Sequence, residues 1–126
     1  MTDDELLRAA SEARERAYAP YSHFAVGAAL ACADGTVVAG ANVENASYGL
    51  SMCAERSAVF AAVAAGRSAF DAIAIAGPPE VATPPCGACR QVLAEFGARM
   101  RVLYTTPGGF EATTIAALLP AGFVLP

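Results

Sequence analysis

Two short stretches, Ser51-Met52-Cys53-Ala54-Glu55-Arg56 and Pro85-Cys86-Gly87-Ala88-Cys89-Arg90, restrict this chain more than any other feature. Each reads as the first turn of a helix. Read together, they require a fold that brings two helix N-termini to one place. They then offer three thiols and one carboxylate, enough to hold a zinc ion with three protein ligands and a fourth position left for water. Cys86 and Cys89, spaced i and i+3, face the same side of a helical turn. Cys53 supplies the third thiolate, and Glu55, two residues on, can serve the water without ligating the metal.

The electrostatics of such a site are coherent. Unpaired N–H groups and the helix dipole favour thiolates at helix N-termini. Three thiolates around Zn2+ leave a formal charge of −1, and Arg56, one turn past Cys53, is placed to donate to sulfur and offset it. Gln91 offers its amide for similar work. Zinc lowers the pKa of bound water to about 7, and Glu55 can take that proton and deliver it to a leaving group. The reaction class is hydrolytic attack on an electrophilic carbon that bears an amine.

Simpler readings stand beside this one. A Cys-x-x-Cys alone suits a redox pair or half of a structural zinc site. A redox pair, however, needs no third cysteine followed by Ala-Glu. A structural site usually takes four protein ligands, whereas Cys32 lies at a spacing unlike a zinc knuckle. Cys32 lies in a strand-like run and reads as a small buried hydrophobe. His23, the one histidine, reads as an exposed or hydrogen-bonded residue at a strand entrance rather than a fourth ligand. Arg90 reads as a surface or interface ion-pair partner.

The remaining elements follow from periodicity and punctuation. Thr2-Asp3-Asp4-Glu5 fits a capping box, and Leu6, Leu7, Ala10, Ala13 and Ala17 continue as a helical stripe that Pro20 ends. Phe24 to Cys32 is strand-like, Asp34-Gly35 marks a hairpin, and Thr36 to Ala39 returns antiparallel. A polar, turn-rich stretch from Asn42 to Gly49 leads into a helix from about Ser51, its N-cap, to Ala65, with Gly66 closing it. Phe70 to Ala76 reads as a buried strand, Cys86 to Phe96 as a helix closed by Gly97, and 101–105 and 110–113 as strands. A helical turn at 114–119 precedes the tail. The order helix, hairpin, helix, strand, helix, strand, strand implies one α/β domain over residues 1–126. Its expected form is a three-layer α/β/α sandwich around a five-stranded mixed sheet.

Composition narrows the partners. A chain of 126 residues buries a core without staples, and no apolar run approaches the ~20 residues of a membrane span. The net charge is −4, lysine is absent, and eight arginines are scattered without a basic stripe. This excludes a surface built for a polyanionic backbone. The start, Met-Thr-Asp-Asp-Glu, lacks a signal peptide's pattern, and four cysteines without a disulfide framework fit a reducing cytoplasm. A 56% apolar content dominated by alanine points to tight packing and to subunit contacts.

The chain resembles the short, homotetrameric cytidine deaminases of the zinc-dependent cytidine/deoxycytidylate deaminase family. The zinc-deaminase pattern appears in its three-cysteine form, Cys53-Ala54-Glu55 followed by Pro85-Cys86-Gly87-Ala88-Cys89. The resemblance continues through Ala19-Pro20-Tyr21-Ser22, Phe24 to Ala29, Asn42 to Tyr48 and Leu118-Leu119-Pro120. It implies one zinc per subunit on Cys53, Cys86 and Cys89, and Glu55 as proton shuttle. It implies a nucleoside, cytidine or 2′-deoxycytidine, deaminated to the uridine counterpart with release of ammonia in pyrimidine salvage. Phe24 would pack on the pyrimidine, backbone at Ala54 would read the ring's polar edge, and Asn42 and Glu44 would bind the ribose 3′-hydroxyl. From neighbouring subunits of a homotetramer, Phe123 would cover the base, and Ala46 and Tyr48 would border the ribose.

The residues alone give Asn42 and Glu44 a second reading, turn formation in an Asn-rich loop. Glu44 near a phosphate would repel it, which favours a nucleoside over a nucleotide or nucleic acid. An aminonucleoside-antibiotic deaminase, a zinc-stabilised interaction module and a polynucleotide deaminase are the competing functions.

Overall fold

A computed structural model describes all residues, Met1–Pro126. Helix α1 (Asp3–Arg14) opens on Thr2, whose hydroxyl accepts from the Glu5 N–H at 3.1 Å and donates to the Glu5 carboxylate. Three acidic residues occupy its first turn and Arg14 its last, each complementing the helix dipole. The helix stops well short of Pro20. Past Arg14 the chain extends so that Tyr18 bridges Val43, with the Tyr18 N–H on Asn42 O at 2.9 Å and the Glu44 N–H on Tyr18 O at 2.8 Å. Pairing with the 42–44 segment thus overrides the continuing alanine stripe.

Strands β1 (Gly27–Cys32) and β2 (Val37–Ala41) form the hairpin predicted at Asp34-Gly35. The turn is held by the Asp34 carboxylate accepting from the Thr36 N–H, with Gly35 at φ +88°. β1 begins three residues later than its apolar pattern suggests, because the backbone before Gly27 bonds to side chains: Asn42 caps Val26 and Phe24. A 3-10 turn (Tyr48–Leu50) leads to α2 (Ala54–Ala64). The N-cap of α2 is Cys53, not Ser51. The Ser51 hydroxyl accepts from the Asn45 N–H instead, and an isolated Val43–Met52 bridge keeps residues 51–52 extended. At the other end, Gly66 (φ +87°) and Arg67 donate to the carbonyls of Val63 and Ala62, a Schellman closure.

β3 (Phe70–Ala76), α3 (Gly87–Ala94), β4 (Arg101–Thr106), β5 (Gly109–Thr114) and the short α4 (Ile115–Leu118) complete the chain. The sheet order is β2-β1-β3-β4-β5, with β3 and β4 parallel and every other pair antiparallel. This is the expected five-stranded mixed sheet.

Alternation along β3 divides the two cores. Ala72, Ala74 and Ala76 face α1 with Leu6, Ala10, Ala29 and Leu103, whereas Ile73 and Ile75 face α2 and α3 with Leu30, Val59, Leu93 and Val102. Helices therefore cover both faces. The layers sit close because two glycines admit them: a Cβ on Gly27 would lie 2.1 Å from Ala10 O, and one on Gly40 2.6 Å from Ala54 O. No helix is long and apolar enough to cross a membrane.

Candidate active site

Strand register decides where the site lies. Gly27 stands opposite both Ala41 and Ala76, so β1 begins where β2 and β3 end. The segments just outside that line, 22–26, 42–44 and 83–86, converge on one rim of the sheet with the N-terminus of α2. They enclose a cleft of about 260 Å3 that Phe24, Asn42, Glu44, Ala54, Glu55 and Cys86 help to line. That size is close to the lower end of the about 300–1,000 Å3 usual for small-molecule sites.

Cys53 and Cys86 are the N-caps of α2 and α3, and Cys89 is buried in the first turn of α3. Their Sγ atoms all lie within 4.8 Å of one another, with Cys86 and Cys89 3.4 Å apart. Three thiolates at about 2.3 Å from a tetrahedral zinc sit about 3.8 Å apart, so the cluster matches a zinc ligand set. Soft sulfur donors favour zinc over oxygen-seeking cations. Acidity is already divided among the thiols. The Cys53 thiol is pushed down to about 5, first by a hydrogen bond from Cys89 and, after burial has opposed it, by the Arg56 guanidinium. Cys89, the donor in that pair, is pushed up. Arg56 Nη2 donates to Cys53 Sγ at 3.3 Å, and its Nε is buried without an acceptor. A spare buried donor beside the thiol cluster suits thiols that lose their protons on metal binding.

Glu55 is 5% exposed and lines the cleft. Burial pushes its carboxyl above the usual range, the condition for a group that must hold a proton and give it up. Glu44 behaves oppositely. Its carboxylate accepts from the Ser22 hydroxyl and from the N–H groups of Tyr21 and Ser22 at 3.0 and 3.1 Å. These bonds, the hydroxyl's first, hold it below the usual range.

The outcome for the other expected residues is mixed. Asn42 reaches the cleft, but its amide spans Phe24 O and the Val26 N–H, both at 2.9 Å. Asn42 and Glu44 thus do the turn-forming work that the sequence allowed, at the wall of the cleft. Gln91 does not serve a sulfur; its Nε2 donates to Phe123 O at 3.1 Å, which docks the tail on α3. Arg90 makes no ion pair. Its Nε donates to Pro85 O at 2.8 Å and its Nη1 to Leu118 O at 3.0 Å, clasping the Cys86 loop to the end of α4. Tyr48 (76% exposed), Phe123 (69% exposed) and Ala46 lie outside the cleft of a single chain. Cys32 is buried as expected, and His23 is exposed with φ +58°. Sequence reasoning gave no role to Ser22, Val26, Thr83 and Pro84, which also line the cleft. Ser22 and Val26 lay within stretches that carry the resemblance, and the signal for Thr83 and Pro84 was adjacency to Pro85-Cys86.

Comparison with known proteins agrees with this geometry. Cytidine deaminase of Sporosarcina psychrophila is 47% identical over 98% of this chain and 92% of its own length. That of Halalkalibacterium halodurans is 49% identical over 94% and 91%. The crystal structure of cytidine deaminase from Burkholderia pseudomallei superimposes with a TM-score of 0.93 at 52% identity, covering 98% of this chain and all of that one. A family model for the cytidine and deoxycytidylate deaminase zinc-binding region matches residues 1–106, and with three cysteines gathered beside a buried glutamate, the chain belongs to that family.

Proposed function

We propose that the protein is a cytidine deaminase, a zinc-dependent hydrolase that converts cytidine and 2′-deoxycytidine to uridine and 2′-deoxyuridine with release of ammonia. One observation carries the reading: Glu55 is buried on the wall of a small cleft, directly beside the cluster of Cys53, Cys86 and Cys89. Zinc held by these thiolates supplies Lewis acidity, the means of making water nucleophilic near neutral pH. The chain's own residues do the rest. The Glu55 carboxylate takes the proton of the attacking water, passes it to N3 of the pyrimidine, and then carries the second proton to the departing amine. Arg56 offsets the excess negative charge at Cys53. The α2 backbone at Ala54 presents itself to the polar edge of the ring, and Phe24 packs on its face.

Asn42 and Glu44 bind the ribose 3′-hydroxyl. An ionised Glu44 at the rim supports a neutral sugar over a phosphorylated one, and with it a free nucleoside over a nucleotide or nucleic acid. We also assign a homotetramer that works in the cytoplasm in pyrimidine salvage. Exposed Tyr48, Leu50, Phe60 and Val63 and an exposed apolar tail support the assembly. In it, Ala46, Tyr48 and Phe123 of neighbouring subunits complete each site.

The test is ultraviolet-monitored conversion of cytidine by wild type and Glu55→Gln, with zinc counted per chain and mass taken by light scattering. Loss of the shuttle should cost at least about 10²–10⁴-fold in kcat while zinc content and a mass of four chains persist. Equal turnover in the two proteins would refute the role of Glu55, and an active monomer would refute the assembly.

A further inference from the structure

Ser22 bonds to none of the cysteines, yet it lines the cleft together with Phe24 and Glu44. Its hydroxyl accepts from the Phe24 N–H at 3.0 Å and donates to Glu44 Oε2. Oε1 of the same carboxylate takes the N–H groups of Tyr21 and Ser22. His23, between Ser22 and Phe24, sits at φ +58° with its N–H on Ala19 O. The 19–24 turn is therefore wound tightly around one carboxylate.

Counting lone pairs makes this specific. A carboxylate offers about four acceptor sites. Two on Oε1 and one on Oε2 are filled, so a ligand hydroxyl finds one place, on Oε2, beside Ser22. The direction of that last lone pair is set by the Ser22 hydroxyl, which is in turn tied to the backbone that carries Phe24.

We propose that Ser22 is a positioning residue that determines sugar specificity: it fixes the one Glu44 lone pair open to the nucleoside's 3′-hydroxyl and links it to the base-facing Phe24. The inference rests on the reading of Glu44 as a ribose ligand. Its consequence is selective. Losing the Ser22 hydroxyl weakens substrates that carry a 3′-hydroxyl more than those lacking it, which lose only the Ser22–Phe24 link. The proton shuttle and thiol cluster are untouched.

The experiment uses the full-length zinc-loaded enzyme and compares cytidine with 3′-deoxycytidine in wild type, Ser22→Ala, Ser22→Thr, Glu44→Gln and the Ser22→Ala/Glu44→Gln double variant. For Ser22→Ala the KM for cytidine should rise about tenfold, the scale of one hydrogen bond to a charged group, with kcat changed little. Its KM for 3′-deoxycytidine should rise clearly less than that for cytidine, and Ser22→Thr should restore most of the cytidine affinity. In the Glu44→Gln background, Ser22→Ala should add almost nothing. Two failures are distinguishable. If Glu44→Gln leaves the cytidine KM unchanged, or raises it no more than that for 3′-deoxycytidine, the ribose reading itself falls. If Glu44→Gln raises it but Ser22→Ala does not, or raises it equally for both nucleosides, the role of Ser22 is overturned while the ribose reading stands.

Discussion

Glu55 and Glu44 stand on one cleft and are driven in opposite directions, which is how two carboxylates acquire two tasks. Burial raises Glu55, whereas the Ser22 hydroxyl and two backbone N–H groups lower Glu44. For Glu44 the sign is plain. Its folded pKa lies below its unfolded value of 4.5, so its anchoring of the 19–24 turn is fully present above 4.5 and fades only as pH falls through the lower folded value. The cytidine KM should accordingly be flat between about pH 5 and 8. In Ser22→Ala the carboxyl should move back toward its ordinary range, which a ¹³C-carboxyl titration of Glu44 would register. Only part of this was legible in the sequence. Cysteines, a glutamate and an arginine at helical spacing declare their chemistry in one dimension. The Ser22–Glu44 bond joins residues 22 apart in sequence, across two segments whose apposition depends on the β1–β2 register.

At the scale of elements, the sequence placed every α-helix and strand, and both ends of β3 (Phe70–Ala76), but not the ends of most others. The start of α2 moved from Ser51 to Cys53 because the Val43–Met52 bridge and the Asn45 N–H claim the preceding residues. That shift makes Cys53 a cap, with its thiol beside free N–H groups and its backbone outside the helix. α1 ended early for a similar reason, a bridge that no local pattern announces. Close approach was equally hidden, since a glycine in a strand does not say which helix lies over it. Gly40 lies under α2, with Ala58 N 2.5 Å from where a Cβ would stand. Gly40→Ala should therefore lift α2 and cost about 1–3 kcal/mol in denaturant unfolding. Gly49→Ala, where nothing lies within 4 Å, should leave stability nearly unchanged.

Across the whole molecule the two cores differ in kind. The α1 side is thin and built mainly of alanine, and the α2–α3 side holds the large aliphatic side chains. All three clustered cysteines belong to the second side. The outer surface has the same bias, since Phe60 and Val63 project outward from α2. A metal bound by Cys53 and by Cys86 and Cys89 also acts as a removable cross-link. It closes into a ring everything between Cys53 and Cys86, namely α2, β3 and the loop to α3, and so restricts the unfolded chain as any loop closure does. α1 lies outside that ring. Mechanical firmness should then be unequal and adjustable by free zinc. In hydrogen exchange, chelation should accelerate amides of α2 and α3 by orders of magnitude more than those of α1. Uniform acceleration would mean that the metal holds the fold as one unit. Unequal acceleration would mean that a cell short of zinc loosens the catalytic half of this protein first and leaves the other standing.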